Sequence, residues 1–241
     1  MNKNIWGVLA CRGKGWLKDM SRMIFPLTCE VCGTALVEGE RVLCLGCMAA
    51  MPGVDCDPDS DLARRLSATV RVEKVAAMFA YRRDTSYARV LQKSKYNHRP
   101  DIDYDLAREF AARLLPKGFF NDIDVVLAVP MHYMKKLRRG FNQAEEIARG
   151  VAETAGLEIM DNLVAVRPHK TQTRRNIAGR LKNAEGVYAV VYPDELRGKH
   201  VLLVDDIITT GATLMSCCDA LRDAVPDLRI SILTLAATRL A

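Results

Sequence analysis

The chain has 241 residues, 49% of them hydrophobic and 27% charged, with a formal net charge of +6. That length buries a full domain core and leaves room for a small appendage. It contains no internal repeat or low-complexity tract, and no run near the roughly 18 apolar residues of a membrane-spanning helix, so a membrane span is not expected.

Residues 1–25 hold only a short apolar segment, interrupted by Arg12, Lys14 and Lys18. A secretory signal needs a longer apolar core and a small-residue cleavage site, so a short helix and a reducing cytoplasm are the expectation. Next come two Cys-x-x-Cys pairs, Cys29/Cys32 and Cys44/Cys47, eleven residues apart. Each pair forms a knuckle that brings two sulfurs to one ion, and two knuckles complete a tetrahedral Zn²⁺ site. A disulfide or redox pair is the competing reading, and the double spacing favours zinc. Four thiolates leave no open position for chemistry, so the Zn²⁺ is expected to be structural and to supply folding energy that so short a span lacks. Cys56 is an alternative ligand, whereas adjacent Cys217 and Cys218 suit buried thiols on a helix. We place the N-terminal segment and zinc module in residues 1–52. An Asp-rich linker, residues 53–70, runs into a short helix, and the main domain spans residues 71–241.

In that domain Val75–Tyr81 reads as a strand. Tyr87–Lys95 and Ile102–Leu115 read as helices, the second with Ala107, Phe110, Ala111 and Leu114 on one face. Ile123–Val129 is a buried strand closed by Pro130. A basic loop follows, with His132, Lys135, Lys136, Arg138 and Arg139. Asn142-x-x-Glu145 makes a capping box for a helix over Gln143–Ala155, which stops at Gly156. Its core stripe is Ala144, Ile147, Ala148, Val151 and Ala155. Lys170–Lys182 is polar and basic, either a lid that keeps water from a reactive centre or a surface connection. Val201–Val204 is a buried parallel strand leading into Asp205 and Asp206, then the hydroxyl-rich turn Thr209-Thr210-Gly211-Ala212-Thr213. A helix to Ala224 and a last strand, Ile230–Leu235, complete the pattern. Strands alternating with helices argue for an α/β fold with a mostly parallel, doubly wound sheet.

Ligands of such sheets bind beyond the carboxyl ends of the strands, where this turn and the basic loop both lie. Gly211 allows a sharp turn, and successive N–H groups and hydroxyls at a helix start cradle phosphate. Adjacent carboxylates repel unless sugar hydroxyls or Mg²⁺ bridge them. No Walker-type phosphate loop occurs. Between His132 and Lys182 stand eleven Lys/Arg against five Asp/Glu, an excess equal to that of the whole chain. Such a local charge suits a polyphosphate substrate or nucleic acid, and a solvated charge run is the plain alternative.

Val201–Thr213 (VLLVDDIITTGAT) resembles the phosphoribosyl pyrophosphate (PRPP) signature of type I phosphoribosyltransferases. The resemblance implies that Asp205 and Asp206 hold the ribose hydroxyls and help place Mg²⁺, and that Thr209–Thr213 bind the 5-phosphate. Lys135, Arg138 and Arg139 would take the pyrophosphate, to which guanidinium groups donate bidentately. His132 would assist proton transfer or make a structural hydrogen bond.

Over nearly the whole chain after residue 25, the pattern resembles the ComF family. The carrying residues are the four cysteines, Pro130, His132, Arg139–Gln143, Lys170–Thr173, Arg180–Asn183 and Val201–Thr213. Where that family usually has a Gly-rich turn after a Lys-aromatic pair, this chain has Lys95-Tyr96-Asn97-His98-Arg99. The resemblance implies a PRPP- and Mg²⁺-dependent enzyme that displaces pyrophosphate with a nitrogen nucleophile, linked to DNA uptake in competence. No catalytic cysteine begins the chain and no glutaminase-like half accompanies it, so ammonia would come from solution or a partner. A second class also fits: a non-catalytic adaptor of the DNA-uptake machinery that binds a helicase-like partner or single-stranded DNA. Sparse aromatics in the basic stretch, Tyr133 and Phe141, weaken the case for base stacking.

Overall fold

A computed structural model describes residues 26–54, 56, 60–67, 70–166 and 187–238. The helix expected within residues 1–25 and the Lys170–Lys182 segment lie outside them. The chain divides into two compact units, residues 1–50 and 51–241.

In the first unit Gly33 N donates to Cys29 O and Cys29 N to Thr34 O, both at 2.8 Å, closing the first knuckle. The second knuckle opens a single turn of helix, α1 (Leu45–Ala49), capped by the Cys44 sulfur, which accepts from Cys47 N at 3.4 Å. Apart from Cys29, the buried apolar side chains of residues 26–50 are Val42 and Leu43. So small a cluster needs a further source of stability.

The second unit runs α2 (Asp61–Ser67), β1 (Val75–Tyr81), α3 (Ser86–Tyr96), α4 (Pro100–Leu114), β2 (Val125–Ala128), α5 (Tyr133–Arg139), α6 (Gln143–Ala155), β3 (Glu158–Ile159), β4 (Leu163–Ala165), β5 (Tyr188–Val190), β6 (His200–Ile208), α7 (Ala212–Ala224) and β7 (Arg229–Thr238). Five strands form one parallel sheet in the order β1-β7-β6-β2-β3, while β4 and β5 pair antiparallel on their own. Val201–Val204 and Val125–Leu127 are fully buried, as strands covered on both faces must be. Val201 and Leu203 pack with Leu214, Cys217 and Leu221 of α7. Leu202 points the other way, the face on which α6 lies across β2 and β6 and α4 meets β7. Each such Leu or Val contributes about 1.5–3 kcal/mol by leaving water. The helices α4 and α6 approach so closely at Gly150 that a Cβ there would stand 2.4 Å from Tyr104 O.

Several boundaries differ from those read in the sequence, for physical reasons. The Lys135–Arg139 stretch is not a loop: α5 is capped by His132, whose Nδ1 accepts from Met134 N at 3.4 Å, and it ends at Gly140 in the left-handed region. Only half of the capping box forms. Asn142 Oδ1 accepts from Ala144 N, but Glu145 turns instead to Lys136 Nζ at 2.7 Å. The α6 stripe buries Ala152 and leaves Ala155 half-exposed. The strand read as ending at Val204 continues to Ile208, because β7 keeps pairing with it after β2 has stopped. The pair β4–β5 had no sequence signal, since three-residue strands show no period.

At the amino ends of the strands, His200 is buried with Nε2 2.8 Å from Ser231 Oγ and Nδ1 2.9 Å from Asp122 O. Asp122 also pairs with Lys74 and with Arg229. The Asp-His-Ser arrangement resembles a nucleophile triad, but Ser231 is fully buried. It ties β6 to β7 and the loop before β2.

Candidate functional site

The site lies where the sheet's connections diverge. From β2 the chain moves outward to β3, and from β6 it moves the other way to β7, so a crevice opens between β2 and β6. The last rung between them pairs Ala128 with Val204. Beyond it Pro130 leads β2 away, and β6 projects Asp205 and Asp206 with no strand on that side.

A cavity of about 580 Å³ fills the crevice. Its lining includes Asp205, Asp206, Thr209, Thr213, Lys135, Arg138 and Arg139, together with His132, Lys95 and Tyr188. Of the hydroxyl-rich turn, Thr209 and Thr213 line the cavity, while Thr210, Gly211 and Ala212 form the bend between them. Gly211 takes φ +75°, a backbone conformation that favours glycine, and a Cβ there would stand 3.2 Å from Leu66 Cδ2. It caps α7 without a side-chain hydrogen bond, and Thr210 Oγ1 accepts from Ala212 N at 3.4 Å. The positive end of a 13-residue helix therefore faces the crevice.

The electrostatics are those of a site prepared for both signs of charge. Burial, and then the charge of Asp206, push the Asp205 carboxyl well above the usual carboxylate range. Its Oδ1 accepts from Asp206 N at 2.8 Å, while Asp206 Oδ2 accepts from Lys95 Nζ at 3.1 Å. Packing in the pocket wall, followed by the neighbouring charges of Arg139 and Lys95, lowers the Lys135 ammonium. An anion between these cations and a divalent cation or sugar hydroxyls on the carboxylates would relieve both strains. The donor set of two carboxylates suits Mg²⁺, which takes one or two from protein and the rest from phosphate and water.

Lys95 and Gln143 also line this cavity. Lys95, at the end of α3, reaches the aspartates from far away in sequence; its Lys-aromatic pair was the available signal. Gln143, the first residue of α6 and the last of the Arg139–Gln143 motif, accepts at Oε1 from Arg139 Nη1 at 3.2 Å. His132 lines the cavity while its Nδ1 serves as the cap of α5. From β4 and β5, Ala165, Val187 and Tyr188 add an apolar wall.

The second cluster is the set of four cysteines, whose sulfurs all lie within 4.8 Å of one another. Cys32 and Cys44 Sγ are 3.7 Å apart, against the roughly 3.8 Å between ligands of a tetrahedral site with Zn–S near 2.3 Å. As thiols alone Cys32 and Cys47 diverge. Hydrogen bonds from Thr34 lower Cys32 to about 6, while burial and the neighbouring sulfurs raise Cys47. A bound divalent cation favours all four thiolates, so the donor set fits Zn²⁺. Cys56 is engaged elsewhere, near the carbonyls of Val54 and Ala77.

With this geometry in view, the comparisons with known proteins are decisive. A family model described as the phosphoribosyl transferase domain matches residues 103–239, more than half of the chain. The chain belongs to the phosphoribosyl transferase domain family. It is 27% identical over 194 residues to DNA utilization protein YhgH of Salmonella typhimurium, covering 77% of this chain and 80% of that protein. It is 27% identical over 139 residues to competence protein F of Haemophilus influenzae, covering 55% of this chain and 60% of that protein. Among solved structures, glutamine PRPP amidotransferase from B. subtilis aligns with 54% of this chain and 26% of its own, at 22% identity and a TM-score of 0.35. The ComF resemblance read from the motifs is borne out by these relatives, and the phosphoribosyl transferase fold by the family match. Among the described residues, no helix is long and apolar enough to cross a membrane.

Proposed function

We propose that this phosphoribosyl transferase domain binds PRPP with Mg²⁺ and transfers the phosphoribosyl group to a nitrogen acceptor, in a cytoplasmic role linked to DNA uptake or utilization. One observation carries the reading: the paired aspartates, two threonines of the hydroxyl turn and four cationic side chains line a single cavity. Asp205 and Asp206 orient the ribose, Thr209–Thr213 bind the 5-phosphate, and Lys135, Arg138 and Arg139 receive the pyrophosphate. Bound Mg²⁺ would neutralise charge between the carboxylates and the pyrophosphate oxygens. As the acceptor nitrogen forms its bond to the anomeric carbon, the bond from that carbon to the pyrophosphate oxygen breaks, its electron pair leaves with the pyrophosphate, and the nitrogen's proton passes to water or to the departing pyrophosphate. The cationic wall stabilises that growing negative charge, which is how preorganised dipoles and charges lower such barriers. No side chain acts as covalent nucleophile. Zn²⁺ on Cys29, Cys32, Cys44 and Cys47 is structural, and residues 1–52, 53–70 and 71–241 serve as zinc module, linker and catalytic domain.

Calorimetric titration of PRPP with Mg²⁺ tests this directly. Micromolar binding that vanishes in Asp205→Asn/Asp206→Asn is expected, and a zinc-loaded wild type that does not bind would overturn the enzyme reading. The exposure of Tyr133 (64%) and Leu137 (76%) among the cations of α5 favours the second reading, an adaptor that binds single-stranded DNA or a helicase-like partner. DNA binding that falls steeply with salt yet survives the aspartate substitutions would select it.

A further inference from the structure

A carboxylate lies behind the basic wall, out of reach of any ligand. Asp103, in the first turn of α4, is fully buried. Its Oδ2 accepts from the Ser94 hydroxyl, and its Oδ1 has no hydrogen-bond donor among the described residues. Ser94 Oγ accepts in turn from Gln143 Nε2 at 3.4 Å, and Gln143 Oε1 accepts from Arg139 Nη1 at 3.2 Å. Ser94 is fully buried and Gln143 nearly so. A guanidinium only donates and an ionised carboxylate only accepts, so with Asp103 ionised every direction along the chain is set: Arg139 to Gln143, Gln143 to Ser94, Ser94 to Asp103. The amide has one workable orientation for the same reason. Four helices, α5, α6, α3 and α4, supply one member each.

Packing alone does not require this arrangement. Burial drives the Asp103 carboxyl up to about 7, the hydrogen bonds of Ser94 and Gln143 hold it down in part, and the charges of Asp206 and Lys95 act in opposite senses. An apolar residue would fill the space without that penalty. What the carboxylate adds is polarity: hydrogen bonds in a directed, water-poor chain reinforce one another, and this one begins at a cavity-lining guanidinium. Arginine otherwise loses much rotamer freedom when it grips a phosphate.

We propose that Asp103 is a positioning residue for the anion wall, holding Arg139 through Ser94 and Gln143 in the orientation that pyrophosphate requires. The identity of the anion rests on the PRPP reading above; the ordering of Arg139 does not.

The test uses the full-length, zinc-loaded chain and two probes, inorganic pyrophosphate with Mg²⁺ and ribose 5-phosphate. Side-chain ¹⁵N NMR of the ligand-free protein follows rotation about the Arg139 Nε–Cζ bond. Slow rotation is expected in the wild type and fast rotation in Ser94→Ala. Ser94→Ala should weaken pyrophosphate binding about three- to tenfold, the scale of immobilising one long side chain, and leave ribose 5-phosphate binding unchanged. Asp103→Asn keeps an acceptor for Ser94 and should retain most of the affinity that Asp103→Ala loses. Equal Arg139 mobility in wild type and Ser94→Ala, or equal weakening of both probes, would overturn the proposal. A wild type that binds neither probe overturns the PRPP reading alone, and the NMR comparison then still decides whether the buried chain holds Arg139.

Discussion

Replacing Lys95 with Met keeps the length of the side chain and removes the cation that pairs with Asp206. Lys95 Nζ stands 3.1 Å from Asp206 Oδ2, with the two side chains 28% and 16% exposed. Exposed pairs contribute about 0–1 kcal/mol, while removing one partner of a buried pair costs about 3–5 kcal/mol. This pair lies between those limits, so Lys95→Met should lower stability at neutral pH by about 1–3 kcal/mol, or a melting temperature by roughly 2–12 °C for a unit of this size. The pH dependence has a definite sign. Asp205 is raised by burial and by Asp206, so its folded pKa exceeds the unfolded one and its ionisation opposes folding as pH rises. Without Lys95 that opposition grows, and acidification through the folded pKa should therefore narrow the gap between variant and wild type. Millimolar Mg²⁺ should narrow it as well, by bridging the carboxylates. Thermal unfolding monitored by circular dichroism, across pH and with or without Mg²⁺, is the assay. A Lys95→Met protein that melts within about 1 °C of wild type at neutral pH without Mg²⁺ would refute the argument, since even the low end predicts more.

Two further outcomes follow from the structure. Elemental analysis should find one zinc per chain, and a strong chelator should expose the Cys29, Cys32, Cys44 and Cys47 thiols to alkylation while the parallel-sheet unit keeps its own unfolding transition; structural zinc sites of this kind hold about 10–16 kcal/mol of binding energy near neutral pH. Burial, then the charge of Arg229, lowers the pKa of His200, so its contribution is complete above the unfolded value near 6.5 and is lost as pH falls through the folded one. Urea unfolding should accordingly show a steeper loss of stability below about pH 6.5 in the wild type than in His200→Gln, and parallel profiles would count against it.

The sequence by itself determined what depends on local order. The Cys-x-x-Cys pairs define knuckles whatever surrounds them, and a run such as Val201–Val204 belongs in a covered parallel strand because all of it is apolar. Asp205, Asp206 and the Thr209–Thr213 turn are contiguous, so their shared place at a strand end was legible. Lys135, Arg138 and Arg139 were legible as charge, but their place on a capped helix was not, because the cap is a histidine nitrogen and basic side chains carry no period. Only the tertiary structure decided which distant groups meet. Lys95 reaches Asp206 across 111 positions of chain, and Gln143 reaches Ser94 across 49. Such contacts depend on how helices cross a sheet, and nothing in a residue's neighbours along the chain encodes the crossing. The β4–β5 wall is hidden for a related reason: strands of three residues are held by their partner, not by their own pattern. Strand β6 shows the division within one element, since its first residues are strand by composition and its aspartates are strand only because β7 continues beside them.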